Sequence, residues 1–205
     1  MNLSPYCLDS LYRCTKADWD LFKSATDFLP RRTDEPYHSG PHNLQRFRMV
    51  YELVRPKTVL EIGFNLGHSA VMWLMLGAKY VASIEVRDDA KVRKAAAAII
   101  TRYPERHMLY FGSDEATFNI GEFDLIFIDG SHDKEFVMRD INHALELRCP
   151  YILMDDYDWH HGPGVVQAVE ECGLIPVAIF GTMALCRPPT QFTKRADPLG
   201  ANYYE

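Results

Sequence analysis

From residue 58 onward the chain alternates short runs of strand-forming residues with segments of helical period, and this alternation restricts the fold more than any other feature. Thr58-Val59-Leu60-Glu61-Ile62 is the first such run. Behind it Val71, Leu74, Met75 and Ala78 fall at i, i+3, i+4 and i+7, which marks a helix. Residues 80–84 predict a second strand and the Ala-rich segment 89–102 a second helix. Residues 107–111 and 123–128 predict two more strands. Val137, Ile141, Ala144 and Leu145 mark the next helix, residues 151–154 the next strand, and Val165, Val169 and Cys172 one further helical face. Residues 174–180 and 183–186, on either side of Gly181-Thr182, suit an antiparallel hairpin. Strands that alternate with helices pair in parallel, because each crossover lays a helix on the sheet. The expected fold class is therefore α/β: a doubly wound, seven-stranded, mainly parallel sheet closed by an antiparallel C-terminal hairpin. Ligands of such sheets bind outside the carboxyl ends of the strands.

Ahead of the first strand, a helical stretch is expected around residues 18–28, then a polar loop over 30–41. Leu44, Phe47, Tyr51 and Val54 follow at helical spacing, and Pro56 closes that helix. This divides the chain into an N-terminal lid or extension (1–40), a main domain (41–187) and a C-terminal tail (188–205). The tail is suited to packing on the domain or on a second subunit, as in a homodimer. A chain of 205 residues holds one such domain, and 47% hydrophobic with 24% charged residues is ordinary globular composition. The net charge of -6 leaves no excess of Lys and Arg for nucleic acid or an anionic membrane. Five scattered cysteines without a CxxC pair read as free thiols of a reducing compartment. With no signal-peptide pattern and no apolar run long enough for a bilayer, the expectation is a cytoplasmic protein.

The first strand ends in Glu61-Ile62-Gly63-Phe64-Asn65-Leu66-Gly67-His68-Ser69. Glycines at a strand-to-helix turn let backbone pass close to a ligand and leave helix N–H groups available. A dinucleotide turn has G-x-G-x-x-G, whereas this one has only G-x-x-x-G, with an acid two positions before it. A carboxylate there suits an ammonium or sulfonium neighbour and repels a pyrophosphate. Glu85 ends the second strand, where an acid accepts the ribose hydroxyls of a nucleoside.

Taken with Gly112-Ser113-Asp114 and Phe123-Asp124-Leu125-Ile126-Phe127-Ile128-Asp129-Gly130, these segments resemble the ordered motifs of class I methyltransferases. The nearest likeness is to the metal-dependent O-methyltransferases of the catechol, caffeoyl-CoA and sugar-hydroxyl types, over residues 41 to about 187. The resemblance implies S-adenosylmethionine as cofactor. Glu61, Gly63, Asn65 and Ser69 would then line its methionine part, with Phe64 and Gly67 in the same turn. Glu85 would hold the ribose, Ser113 and Asp114 would border the adenine, and Asp129 would also touch the cofactor.

Asp129 ends the fourth strand and Asp155-Asp156 the fifth. Those strands are neighbours in a doubly wound sheet, so three carboxylates converge at one mouth. A hard cation such as Mg²⁺ relieves their repulsion with oxygen ligands, and the resemblance implies such a site. The alternative has Asp129 contacting cofactor or substrate while Asp155 and Asp156 cap the next loop. His132, three residues after Asp129, is the candidate general base, since imidazole titrates near neutral pH. The catechol type has a lysine at that position, so His132 departs from the pattern; its other reading is a helix-start residue. The expected reaction is methyl transfer to a hydroxyl of a small-molecule acceptor with Mg²⁺ assistance. A metal-free O- or N-methyltransferase and a non-catalytic cofactor-binding subunit stand as alternatives.

Overall fold

The structure, a computed structural model, describes residues 15–30, 41–112, 121–158, 160 and 162–189. In chain order the elements are α1 (Lys16–Thr26), α2 (Pro41–Val54), β1 (Thr58–Ile62), α3 (His68–Leu76), β2 (Tyr80–Glu85), α4 (Ala90–Arg102) and β3 (His107–Phe111). There follow β4 (Leu125–Ile128), α5 (Lys134–Glu146), β5 (Ile152–Met154), α6 (Pro163–Glu171), β6 (Ile175–Phe180) and β7 (Met183–Arg187). All seven strands form one sheet in the order β3-β2-β1-β4-β5-β7-β6. The pairs β1–β2, β1–β4, β2–β3 and β4–β5 are parallel, while β7 runs antiparallel to both β5 and β6. This is the expected doubly wound sheet with its C-terminal hairpin. Its winding reverses between β1 and β4, the point where such sheets open a crevice for ligands.

Strand alternation divides the interior into two cores. Val59, Val81, Leu125, Phe127 and Leu153 point to the face covered by α1 to α4, where the Phe47 and Trp73 rings pack at a tilt of 49° with centroids 4.5 Å apart. Leu60, Ile62, Ala82, Ile84, Ile126 and Ile128 point to the opposite face, under α5 and α6. Each fully buried aliphatic side chain contributes about 1.5–3 kcal/mol of transfer free energy. The sheet therefore holds the strand ends as a rigid platform.

One strand starts later than its sequence pattern suggests. Phe123 is buried, but β4 begins at Leu125 because Asp124 is engaged sideways. Its Oδ2 accepts hydrogen bonds from the Lys57 and Thr58 amides at 2.9 and 3.0 Å and from the Thr58 hydroxyl at 3.2 Å. These bonds tie the starts of β1 and β4 together and so help fix their register.

The expected helix near residues 18–28 is α1, shifted toward the N-terminus by a capping box between Thr15 and Asp18. Asp18 also meets Arg48 of α2 at 3.1 Å, and Phe22 and Leu29 join the core beside Leu44. Residues 1–14, 31–40 and 190–205, on which most of the lid and tail expectations rest, lie outside the described residues. Among the described residues no helix is long and apolar enough to cross a membrane. Cys149, Cys172 and Cys186 are free thiols; Cys7 and Cys14 lie outside the described residues.

Candidate active site

The turn after β1 is built from three left-handed residues. Gly63 has φ +100°, Asn65 +50° and Gly67 +77°. Asn tolerates this conformation better than most side chains do, and glycine adopts it freely. A Cβ on Gly63 would stand 2.1 Å from the carbonyl oxygen of Asp129, so the loops leaving β1 and β4 meet backbone to backbone. The Asp129 amide donates to the Ile62 carbonyl at 2.8 Å, fixing Asp129 at the switch point. Gly67 opens α3 and leaves room for Phe64, which folds into the core and stacks on His107 at 5.4 Å.

Glu61 lies beneath this turn and not in it. The alternation that sends Leu60 and Ile62 to one face sends Glu61 to the other, where it has no exposed surface. The Ser83 hydroxyl donates to its Oε2 at 2.6 Å and lies 3.1 Å from His107 Nε2. Burial pushes the Glu61 carboxyl up to about 7, against the pull of the Ser69 and Ser83 hydroxyls. Burial holds the His107 imidazole down at about 4. Glu61, Ser83 and His107 thus form a buried polar network supporting the turn from below, and Glu61 lines neither cleft.

Glu85, at the end of β2, is buried yet faces a cleft of about 470 Å³. One carboxylate oxygen accepts from the Asn65 amide at 2.6 Å and the other from the Arg87 amide at 2.9 Å. Arg87 Nε also donates, at 3.3 Å, so of the roughly four acceptor positions of a carboxylate about one remains for a ligand hydroxyl. The cleft runs from Gly63, Asn65 and Asp129 past Glu85 to Phe136, Arg139 and Asp140. A smaller cavity of about 70 Å³ continues toward α2 and α3, lined by Asn43, His68, Ser69 and Asp155 among others. Gly63, Asn65 and Asp129 line both, and mark where the two meet.

At that junction the structure brings together the three expected aspartates. Asp129, Asp155 and Asp156 each offer a carboxylate oxygen, all within 4.8 Å of one another. Burial, then the adjacent Asp156 charge, push the Asp155 carboxyl up to about 6. Asp156 itself is left-handed, with φ +49°, a conformation costing about 1–3 kcal/mol in a non-glycine residue. Gly162 allows it: a Cβ there would stand 2.0 Å from the Asp156 carbonyl oxygen. His132 Nε2 meets Asp156 Oδ2 at 2.8 Å, so the candidate base reaches the acidic group, on a half-exposed side chain. Ser113 and Asp114 lie outside the described residues.

Two contributions escape the motif reading. Arg46 of α2 reaches Thr182 at 3.4 Å and draws the Asp155 carboxyl down, lying over Gly181 where a Cβ would meet its guanidinium. Asp140 lines the large cleft from the buried face of α5. Its signal was present in sequence, since Val137, Asp140, Ile141 and Ala144 share the i, i+3, i+4, i+7 stripe and an acid stands among apolar residues.

A glycine turn against an aspartate loop, an acid at the end of β2 and a cleft across the switch point form one arrangement. Residues 60–157, which carry all of it, match the family profile described as a methyltransferase domain. By that match, residues 60–157 are a methyltransferase domain. No curated protein matches it in sequence. Among solved structures, the chain is similar to SAH-bound PaMTH1 of Podospora anserina, with 20% identity, 90% of this chain and 92% of that one covered, and a TM-score of 0.59. It is similar to TomG of Streptomyces achromogenes, an O-methyltransferase involved in tomaymycin synthesis and bound to SAM: 16% identity, 89% and 94% covered, TM-score 0.59. The O-methyltransferase of Bacillus cereus in complex with SAH has 14% identity, 88% and 94% coverage and a TM-score of 0.58. At these identities the likeness carries the fold, over nearly the whole length of each relative.

Proposed function

We propose that this methyltransferase moves the methyl group of S-adenosylmethionine to a hydroxyl of a small molecule, with a divalent cation held by Asp129, Asp155 and Asp156. The observation that carries the proposal is the meeting of three carboxylates within 4.8 Å, at the junction of the two clefts. The donor set is oxygen-only, with burial and then the Asp156 charge raising the Asp155 carboxyl, and it fits a hard cation such as Mg²⁺. The cofactor fits as well: a cleft of about 470 Å³ is of the size that takes a small ligand, and Glu85 stands in its wall. S-adenosylmethionine supplies a methyl group already activated on a sulfonium. A bound cation would supply a ligand position for the acceptor oxygen and lower the pKa of that hydroxyl.

The chain's own residues bind, orient and move protons. Glu85 holds a ribose hydroxyl, Ser69 and the small cavity hold the amino-acid end, and Ser113 and Asp114 border the adenine. Gly63, Asn65 and Asp129 set the reacting centre at the junction, next to the acidic group. His132 accepts the hydroxyl proton, with Asp156 orienting its ring through the 2.8 Å contact. Methyl transfer is an in-line displacement, so holding the acceptor oxygen in line supplies much of the rate. We assign acceptor choice to the segment 1–40, taken as a lid. The description of TomG as a biosynthetic O-methyltransferase supports a small-molecule acceptor.

A metal-free reading also has an observation behind it, because a protonated His132 gives Asp156 a cationic partner. Paramagnetic resonance of Mn²⁺ separates the two. We expect about one bound Mn²⁺ per chain, lost in Asp155→Asn and Asp156→Asn, with cofactor binding retained in both. Methyl transfer across an acceptor panel falls in EDTA and returns with Mg²⁺. His132→Gln lowers turnover far more than it weakens cofactor binding. Undiminished turnover in EDTA selects the metal-free reading.

A further inference from the structure

We propose, on the hydroxyl-transfer reading of this site, that Arg46 receives a carboxylate of the methyl acceptor and that the acceptor is a hydroxy acid. Arg46 stands on α2 three positions after Asn43, so the two share one helix face. Asn43 lines the small cavity, and the charge of Arg46 is felt at Asp155, whose carboxyl it draws down. The Arg46 side chain is half-buried and rests against Gly181, where any Cβ would run into the guanidinium. The hairpin turn is itself pinned beside the acidic loop, because the Tyr157 amide donates to the Thr182 carbonyl at 2.6 Å. Two separate elements, α2 and the β6–β7 turn, thus hold one positive charge at the rim of the acidic group.

That charge is poorly paired. Among the described residues its one hydrogen-bond partner is the Thr182 hydroxyl, at 3.4 Å, and no carboxylate forms an ion pair with it. The contact is longer than the usual range for such a bond, so it accounts for little of the arginine's placement. A guanidinium carries five N–H donors, stays charged at any working pH and matches a carboxylate with a planar, two-bond fork. The cofactor brings a carboxylate of its own, but among the described residues that wall the small cavity Arg46 is not one. The acceptor is the other ligand that must come to Asp129, Asp155 and Asp156. With a divalent cation held there, Arg46 completes the balance of the three aspartate charges, and an anionic acceptor meets no net repulsion. The carboxylate itself is a spectator. The acceptor oxygen bonds the methyl carbon, the carbon–sulfur electron pair returns to sulfur, and His132 takes the hydroxyl proton.

The test offers the full chain aromatic and aliphatic hydroxy acids, each paired with its methyl ester, together with S-adenosylmethionine and Mg²⁺. It reads kcat/KM for methyl transfer in wild type, Arg46→Gln and Arg46→Lys. The acid-to-ester ratio within one protein does not depend on how much of the sample is folded, and Arg46→Met replaces an amide variant that yields no folded protein. We expect wild type to prefer the acid of at least one pair by roughly ten- to a hundredfold. In Arg46→Gln that preference should fall to about threefold or less, through loss on the acid and not on the ester, while Arg46→Lys keeps part of it. Calorimetry should give S-adenosylmethionine the same affinity for all these proteins. Equal use of acid and ester by wild type overturns the proposal, and so does a preference that survives in Arg46→Gln. Acid and ester falling together in Arg46→Gln would give the arginine a structural part only, and weakened cofactor binding with an unchanged ratio would give it to the cofactor; either result also overturns the proposal. If wild type binds S-adenosylmethionine but methylates no member of the panel, the hydroxyl-transfer reading itself fails, and the substrate class falls with it.

Discussion

A carboxyl group shut away from water titrates late, and Glu61 shows what that implies for the protein holding it. Its folded pKa is raised to about 7 by burial, so the folded state keeps a proton that the unfolded state has already released. The contribution is therefore fully present below the unfolded value and is lost as pH rises from about 4.5 through 7. His107 acts in the opposite direction, because its depressed pKa favours the folded state as pH rises toward 6.5. Comparing wild type with Glu61→Gln separates the two. We expect the variant's denaturation free energy to decline less than wild type's between pH 4.5 and 7.5, making it relatively more stable at pH 8. Parallel profiles would show that Glu61 is not the titrating group. The sequence identified Glu61 as an acid in a ligand-binding turn, and the reason it lies under the turn is equally physical. A strand alternates its side chains, and Ile62 and Leu60 claim the other face. Ser83 and His107, which give Glu61 its setting, come from two further strands and share no local motif with it.

Elements register these contacts as geometry. The loops after β1 and β4 approach until only hydrogen fits at Gly63, with φ +100° and the Asp129 carbonyl directly over it. Gly63→Ala should therefore destabilise the protein by more than about 2 kcal/mol in chemical denaturation and weaken cofactor binding together with it. Wild-type stability in that variant would mean that the two loops do not touch as described. Strand and helix positions were largely legible, because hydrophobic period and glycine placement are local signals. The late start of β4 was not, since the Asp124 carboxylate bonds the amides of Lys57 and Thr58, 67 and 66 positions away. Asp156 is similar: its acidic character was plain from sequence, whereas its left-handed backbone depends on Gly162 making room for its carbonyl. Arg46 enters the site from α2 only because the hairpin turn at Gly181 offers a surface without a side chain.

At the scale of the whole molecule, the sheet collects residues distant in sequence onto one edge. The end of β1 gives the glycine turn, β2 gives Glu85, β4 gives Asp129 and β5 gives Asp155 and Asp156. Doubly wound topology dictates this convergence, since every parallel strand delivers its carboxyl end to the same side. The central claim is that this edge binds S-adenosylmethionine, with Glu85 on its ribose. The most direct test is calorimetric titration of S-adenosylmethionine into wild type and Glu85→Ala, with NADH titrated as a competing nucleoside ligand. One molecule should bind per wild-type chain, and more tightly than NADH. Glu85→Ala should bind it more weakly by about 1.5–3 kcal/mol, the scale of hydrogen bonds to a charged group. An unchanged dissociation constant in Glu85→Ala would contradict the ribose assignment, and tighter binding of NADH by wild type would contradict the account as a whole.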